Sequence, residues 1–336
     1  MKVIDFIDLY NPVELFHTTG PYCILPDNSL ILFNFAKHAN TNSGIATLII
    51  TLKQLPVDFK YVFIDDSYDP VTLSDLKIQE ILAAVKQHFK NSHVIFLSSK
   101  CSHYFDNQKN VLWYPTWFLG PYPSVTQPRQ KRIGCLNRRN APHRMWLMHN
   151  LLSQRLIDHD RDIFSVAFVD IYNQNNRGDI DNWLGTGNSN YNMLLEQYPD
   201  FISTVHDNFP NDMTTRHPAW HTAITVVTET ECGELGMITE KTAKALSNEC
   251  CWIAYTGGDC IRVLNDLGFE TQLFDQHASG TDIDPILQVC RTLDSESVAM
   301  DYYHSKLPEI THNKQHFDHG WLDQYLAKLK PALDLP

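Results

Sequence analysis

Short β-branched and aromatic runs alternate along this chain with segments whose apolar residues recur at helical spacing. Leu30 to Phe35, Tyr61 to Ile64 and Val94 to Leu97 read as buried strands, and Ala46 to Leu52 fits a strand or a helix equally. Between two of these runs, Leu76, Ile78, Ile81, Leu82, Val85 and Phe89 follow a helical period. Strand, helix, strand predicts a parallel sheet covered by helices. The pattern returns later. Ile133 to Asn137 and Phe164 to Val169 read as strands, with a helix after the first running to about Leu156, and Pro142 suits its first turn, where a missing N–H costs nothing. Ile224 to Thr228 and Cys250 to Tyr255 are two further strands flanking a helix that Thr239 caps. Helices follow near Cys260 to Leu267, Asp284 to Leu293, Ser297 to Leu307 and Trp321 to Leu329, the last ended by Pro331.

Two interruptions organise these elements. Residues 111 to 132 carry prolines at 115, 121, 123 and 128, which forbid a continuous helix or central strand. The domain boundary therefore falls near Ser124 to Gln130, giving an α/β domain over 1–128, a second over 129–318 and a last helix over 319–336 that crosses back to the first. Trp113, Tyr114, Trp117 and Phe118, just before the boundary, line a cleft or seal a seam. The second interruption, Asn173 to Asn192, is rich in Asn, Gly and Asp and reads as a long loop. A length of 336 residues agrees with two cores.

Composition narrows the classes of function. With 43% hydrophobic and 20% charged residues the chain is an ordinary globular one, and its net charge of -12 disfavours broad binding to nucleic acid or anionic membrane. Acidic residues interrupt the first ten positions, and no apolar run reaches membrane-span length, so a cytoplasmic location is expected. Eight cysteines without a C-x-x-C pair read as reduced, buried thiols.

The candidate chemistry gathers where strands give way to helices. Ligands of open α/β sheets bind beyond the carboxyl ends of the strands, and a helix start offers free N–H groups to an anion. At the helix start at Thr239, Lys241 adds a full positive charge and Glu240 can accept hydrogen bonds from a sugar diol, a combination suited to a nucleotide diphosphate. Alternatively, Thr239 and Glu240 only cap a surface helix. A second such start follows Asn137, where Arg138, Arg139 and Arg144 make a basic turn. Arg129, Lys131 and Arg132 extend the basic cluster, as phosphate ligands or as a solvated rim. In the first domain, Phe63 to Asp69 ends a strand in three carboxylates, and Asp65 or Asp66 is the candidate to take a proton from a hydroxyl; otherwise they cap a turn. His312, His316 and His319 with Asp318 have ligand-like spacing, but Gly320 and the polar run from Thr311 predict a linker there. His217 to His221 reads as structural.

Asn140-Ala-Pro-His-Arg144, and Val226-Val-Thr-Glu229 followed by Ile238-Thr-Glu-Lys241, resemble segments of the alpha-1,3-fucosyltransferases and their inverting, GT-B-type glycosyltransferase relatives. The resemblance covers residues 130 to 275. It implies two Rossmann-like domains with an interdomain cleft, the first on the acceptor side and the second holding the donor. It implies that Arg144 and Lys241 hold the donor diphosphate, that Glu240 binds the ribose, that Asn137, Arg138 and Thr239 line that site, and that Gly257 and Gly258 approach the donor closely. Glu229 is a catalytic candidate beside Asp65 and Asp66, and by spacing Glu231 is an equal counterpart. The implied reaction moves a sugar from a GDP- or UDP-sugar to a hydroxyl of a glycan or other acceptor, inverting and with no metal or other cofactor. The alternatives are a non-catalytic nucleotide-sugar-binding protein and a phage-type glycosyltransferase acting on modified DNA.

Overall fold

The computed structural model describes residues 22–24, 30–34, 59–66, 75–105, 110–120, 122–137, 142–158, 160–166, 217–230, 232 and 236–332. The run at 46–52, the loop at 173–192, and Arg138, Arg139, Asn140 and Glu231 lie outside the described residues. The chain forms a mixed α/β structure in two compact units, Met1–Pro121 with Leu322–Pro336, and Tyr122–Trp321.

The first unit holds β1 (Tyr22–Ile24), β2 (Leu30–Asn34), β3 (Tyr61–Asp66), β4 (His93–Ser98) and β5 (Val111–Trp113), side by side in that order. All pairings are parallel except β1 with β2. Helix α1 (Asp75–His88) lays Ile78, Ile81, Leu82 and Val85 on Val62, Ile64, Val94 and Phe96. Leu76, expected on that stripe, is 73% exposed. At about 100° per residue it points away from Ile78. A short helix α2 (Ser102–Phe105) follows β4. Trp113 packs edge-on against Tyr104 and Tyr325 and donates to the Ser99 carbonyl, so this aromatic belongs to the unit's own core.

The second unit holds β6 (Ile133–Asn137), α3 (Pro142–Ser153), β7 (Ile163–Val166), β8 (Ile224–Thr228), α4 (Glu240–Ser247), β9 (Cys251–Tyr255) and α5 (Gly258–Asp266). Its sheet is parallel throughout, in the order β7-β6-β8-β9. The strands are buried on both faces, as a sheet with helices on each side requires. Gly134 permits a close approach here, because a Cβ would lie 2.2 Å from the Ala219 carbonyl oxygen. Helices α6 (Asp284–Thr292), α7 (Glu296–Ser305), α8 (Leu307–His319) and α9 (Trp321–Ala332) complete the chain. Pro331 lies inside the last turn of α9 and does not end it. Tyr325 of α9 donates to the Trp113 carbonyl at 2.9 Å, and the Lys328 ammonium lies over the Tyr104 ring.

Helix α8 corrects the expected linker at 311–320. Ile310, Asn313 and Phe317 are its buried stripe, and its polar residues serve the end of α5. Asn313 bonds both backbone groups of Glu270, while His312 and His316 reach the Gly268 and Leu267 carbonyls. These bonds satisfy groups that a helix end leaves open. The histidines are thus caps, and among the described residues no cluster of three His, Cys, Asp or Glu could hold a metal ion.

Candidate functional site

Between β6 and β8 the strand order reverses. From β6 the chain moves outward to β7, then returns to lay β8 on the opposite side. The carboxyl ends of strands at such a switch point open a crevice, since the connections leave in opposite directions. Three helices of eight residues or more, α3, α4 and α5, begin at this edge. Among the described side chains at that edge are His143, Arg144, Glu229, Thr239, Glu240 and Lys241.

Glu229, the residue after β8, is the pivot. It is 1% exposed. Its carboxylate accepts hydrogen bonds from the Thr239 amide at 3.0 Å and from the Thr239 and Thr242 hydroxyls. Its carbonyl accepts from Arg144 Nη2 at 3.0 Å and lies 2.9 Å from His143 Nε2, and its amide donates to the Tyr255 carbonyl. A carboxylate at a helix start also meets the positive end of the helix dipole. Glu229 therefore ties α3, α4 and β9 to the end of β8, and its carboxylate is committed to that task.

Thr239 caps α4 as its sequence position predicts, accepting from the Lys241 amide. Lys241 Nζ lies 3.2 Å from the Thr239 hydroxyl and 3.0 Å from the Glu240 carboxylate. The Lys241 and Glu240 side chains are 20% and 12% exposed, so the pair is largely buried and reaches solvent only in part. Burial opposes ionisation of Glu240, but the charge and hydrogen bond of Lys241, with the charge of Lys244, outweigh it and hold the carboxyl below its ordinary value. Glu240 stays an acceptor at neutral pH.

Arg144 is 3% exposed and donates through Nη2 to the Thr228 and Glu229 carbonyls. Beside it, His143 meets the Tyr255 ring edge-on at 5.4 Å. Burial first, then Arg144 and Lys241, bring the His143 pKa down to about 4, so the imidazole is neutral. Arg144 reaches the Glu229 carbonyl, and Lys241 reaches the Thr239 hydroxyl that bonds the Glu229 carboxylate, so both cations border Glu229. Asn137 is a cross-strand tie instead of an open ligand: it is 1% exposed, and its Oδ1 accepts from the Thr228 hydroxyl at 2.6 Å. Gly257 is buried beneath Gly236, whose φ is +23 and whose added Cβ would come within 3.1 Å of Gly257 Cα. Gly258 is exposed, with nothing within 4 Å of the Cβ it lacks.

The basic cluster divides. Arg129 donates to the Trp220, Thr222, Asn248 and Glu249 carbonyls and stacks on Tyr303, with 4.4 Å from the guanidinium carbon to the ring centre. Arg132 pairs with Asp162 through two bonds, at 2.9 and 2.8 Å, and adds bonds to the Cys290 and Leu293 carbonyls. Both are clamps at the amino edge of β6, neither phosphate ligands nor a solvated rim. Lys131 bonds the Asp160 carbonyl. His217 accepts from the Ala219 amide in a short turn, the structural role expected of it.

In the first unit, Asp65 and Asp66 are the last residues of β3, within the strand, and each is 3% exposed. Asp65 lies near Tyr114, whose pKa is raised well above its ordinary value by burial, then by Tyr325 and Asp65. At the same edge stand Ser98, His103 and Asp75, a trio marked in the sequence only by a serine that closes a strand five residues before a histidine. A groove of about 770 Å³ lined by Phe274, Asp282, Arg291 and Tyr302 lies along α6 and holds none of the expected site residues.

No known family model matches this chain, and no curated protein sequence matches it.

Proposed function

We propose that the second unit binds the diphosphate of a nucleotide sugar at the edge where α3, α4 and α5 begin, and that the protein is a glycosyltransferase of GT-B type resembling the alpha-1,3-fucosyltransferases. What supports this reading is one observation: Arg144 and Lys241, from separate helix starts, both border Glu229 at the switch point, one at its carbonyl and the other through the Thr239 hydroxyl that bonds its carboxylate. In this reading Lys241, partly exposed, contacts the diphosphate directly. Arg144 supplies positive charge from beneath while it holds the end of β8. Glu240 accepts from the ribose hydroxyls. Positive groups fixed before the reaction stabilise the leaving diphosphate, where charge grows in the transition state. Glu229 is a positioning residue, because its carboxylate already has three donors. The acceptor is a hydroxyl of a glycan or comparable molecule: its oxygen bonds to the anomeric carbon as the bond to the nucleoside diphosphate breaks, and its proton passes to a general base.

The test is a thermal-shift series with GDP, UDP and their sugars, followed by assays of sugar release and transfer. Stabilisation by a nucleotide that is lost in Lys241→Ala, together with transfer lost in the same variant, is expected. Binding with no release or transfer under any donor would leave a nucleotide-sugar-binding protein. Undiminished transfer by Lys241→Ala would remove that residue, and with it this reading of the site.

A further inference from the structure

We propose that the first unit carries a second reactive centre, in which Ser98 is a nucleophile activated by His103 and Asp75 toward carboxylic esters. His103 Nδ1 lies 2.8 Å from Ser98 Oγ, and His103 Nε2 lies 3.3 Å from Asp75 Oδ1. The proton positions follow from the partners. An ionised carboxylate only accepts, so Nε2 carries the ring proton, Nδ1 is the acceptor, and the Ser98 hydroxyl donates to it. Ser98 Oγ in turn accepts from the Lys100 amide at 3.2 Å. A hydroxyl bonded to a base that a third group orients is the arrangement that activates a nucleophile.

Its place in the fold suits the chemistry. Ser98 closes β4 at the carboxyl edge of a parallel sheet, and α2 begins at Ser102, so the serine stands at a strand-to-helix turn without the Gly-x-Ser-x-Gly pattern that marks such turns in sequence. Ser98 and His103 are 2% and 5% exposed, so the packing around them holds the pair in one geometry. The Asp75 side chain is 65% exposed, and Lys100 Nζ lies 3.9 Å from the same carboxylate oxygen. The trio draws on β4, α2 and the start of α1, so α1 packing sets its geometry.

In the reaction, Ser98 Oγ bonds to the ester carbonyl carbon and its proton passes to His103 Nδ1. The imidazolium, held by Asp75, returns that proton to the alkoxide as the carbon–oxygen bond breaks. Water then attacks the acyl-serine along the same proton path, and the carboxylic acid leaves.

The experiment treats the full chain with a fluorophosphonate probe, maps the labelled peptide by mass spectrometry, and follows p-nitrophenyl acetate hydrolysis. Label on Ser98 is expected, with hydrolysis falling on the order of 10²-fold in His103→Gln and labelling slowed about tenfold in Asp75→Asn, a mild effect for an exposed, screened partner. Asp75→Asn changes a solvent-facing side chain, so it reads out chemistry where Ser98→Ala is open to a folding defect. No label on Ser98 in the folded chain, or label indifferent to Asp75→Asn, overturns the proposal. Neither result bears on nucleotide binding by the second unit.

Discussion

At the amino edge of the second sheet, Arg132 is enclosed by the Asp162 carboxylate and the Leu156, Cys290 and Leu293 carbonyls, and Arg129 by four carbonyls and an aromatic ring. At the carboxyl edge, Arg144 and Lys241 border one buried glutamate, and the Lys241 side chain is 20% exposed. The residue types are the same, and the difference is which end of the strands they occupy. Helix ends that abut the amino edge present carbonyls, which arginines satisfy. Helix starts at the carboxyl edge present N–H groups, which leave cations there with charge to offer an anion.

Breaking the amino-edge clamp should have the largest effect. Arg132→Met strands the buried Asp162 charge and should lower stability by about 3–5 kcal/mol, read from urea unfolding, while nucleotide affinity of the folded fraction holds. Adding Asp162→Leu removes the stranded charge but leaves the Ile133 and Asp158 amides without their acceptor, so it should recover only part of the loss. If Arg132→Met left stability intact but removed nucleotide binding, the division between the two edges would be wrong. At the carboxyl edge, Lys241→Ala should do the reverse. Affinity for GDP or UDP should fall by on the order of 10- to 100-fold, the worth of a hydrogen bond to a charged group, with the melting temperature of the free protein nearly unchanged. Glu229→Gln joins the two behaviours, since it takes an acceptor from Thr239 and Thr242. A loss of about 1–3 kcal/mol is expected, with weaker nucleotide binding through the displaced start of α4; calorimetry with and without nucleotide separates the two.

A further effect concerns pH. His143 has a folded pKa lowered from 6.5 to about 4, so below 6.5 the unfolded chain binds a proton that the folded chain refuses. Stability should fall as pH drops from 6.5 toward 4, by up to one proton's slope. His143→Phe should flatten that part of the profile, and an unchanged slope would show that the ring is not held neutral.

Local pattern made much of this legible. The strands at Tyr61, Val94, Ile133 and Ile224, the α1 stripe, the Thr239 cap and Pro142 at the start of α3 are short-range features, and each depends on propensities or hydrogen bonds spanning a few residues. Helix α8 was not legible, because its polar residues are polar for the sake of another helix's end. Nor was the role of Arg129 and Arg132, whose hydrogen-bond partners lie from 24 to 161 positions away.

By itself the sequence determined that parallel sheets alternate with helices and that Thr239 begins a helix carrying Glu240 and Lys241. Only the tertiary structure decided that β8 returns beside β6 on the side away from β7, which brings Arg144 to Glu229 across 85 residues of chain. Secondary structure answers to neighbours along the chain, whereas strand order answers to which buried faces pack together. It is that packing, and no local spacing, that turned Glu229 inward and left Lys241 facing out.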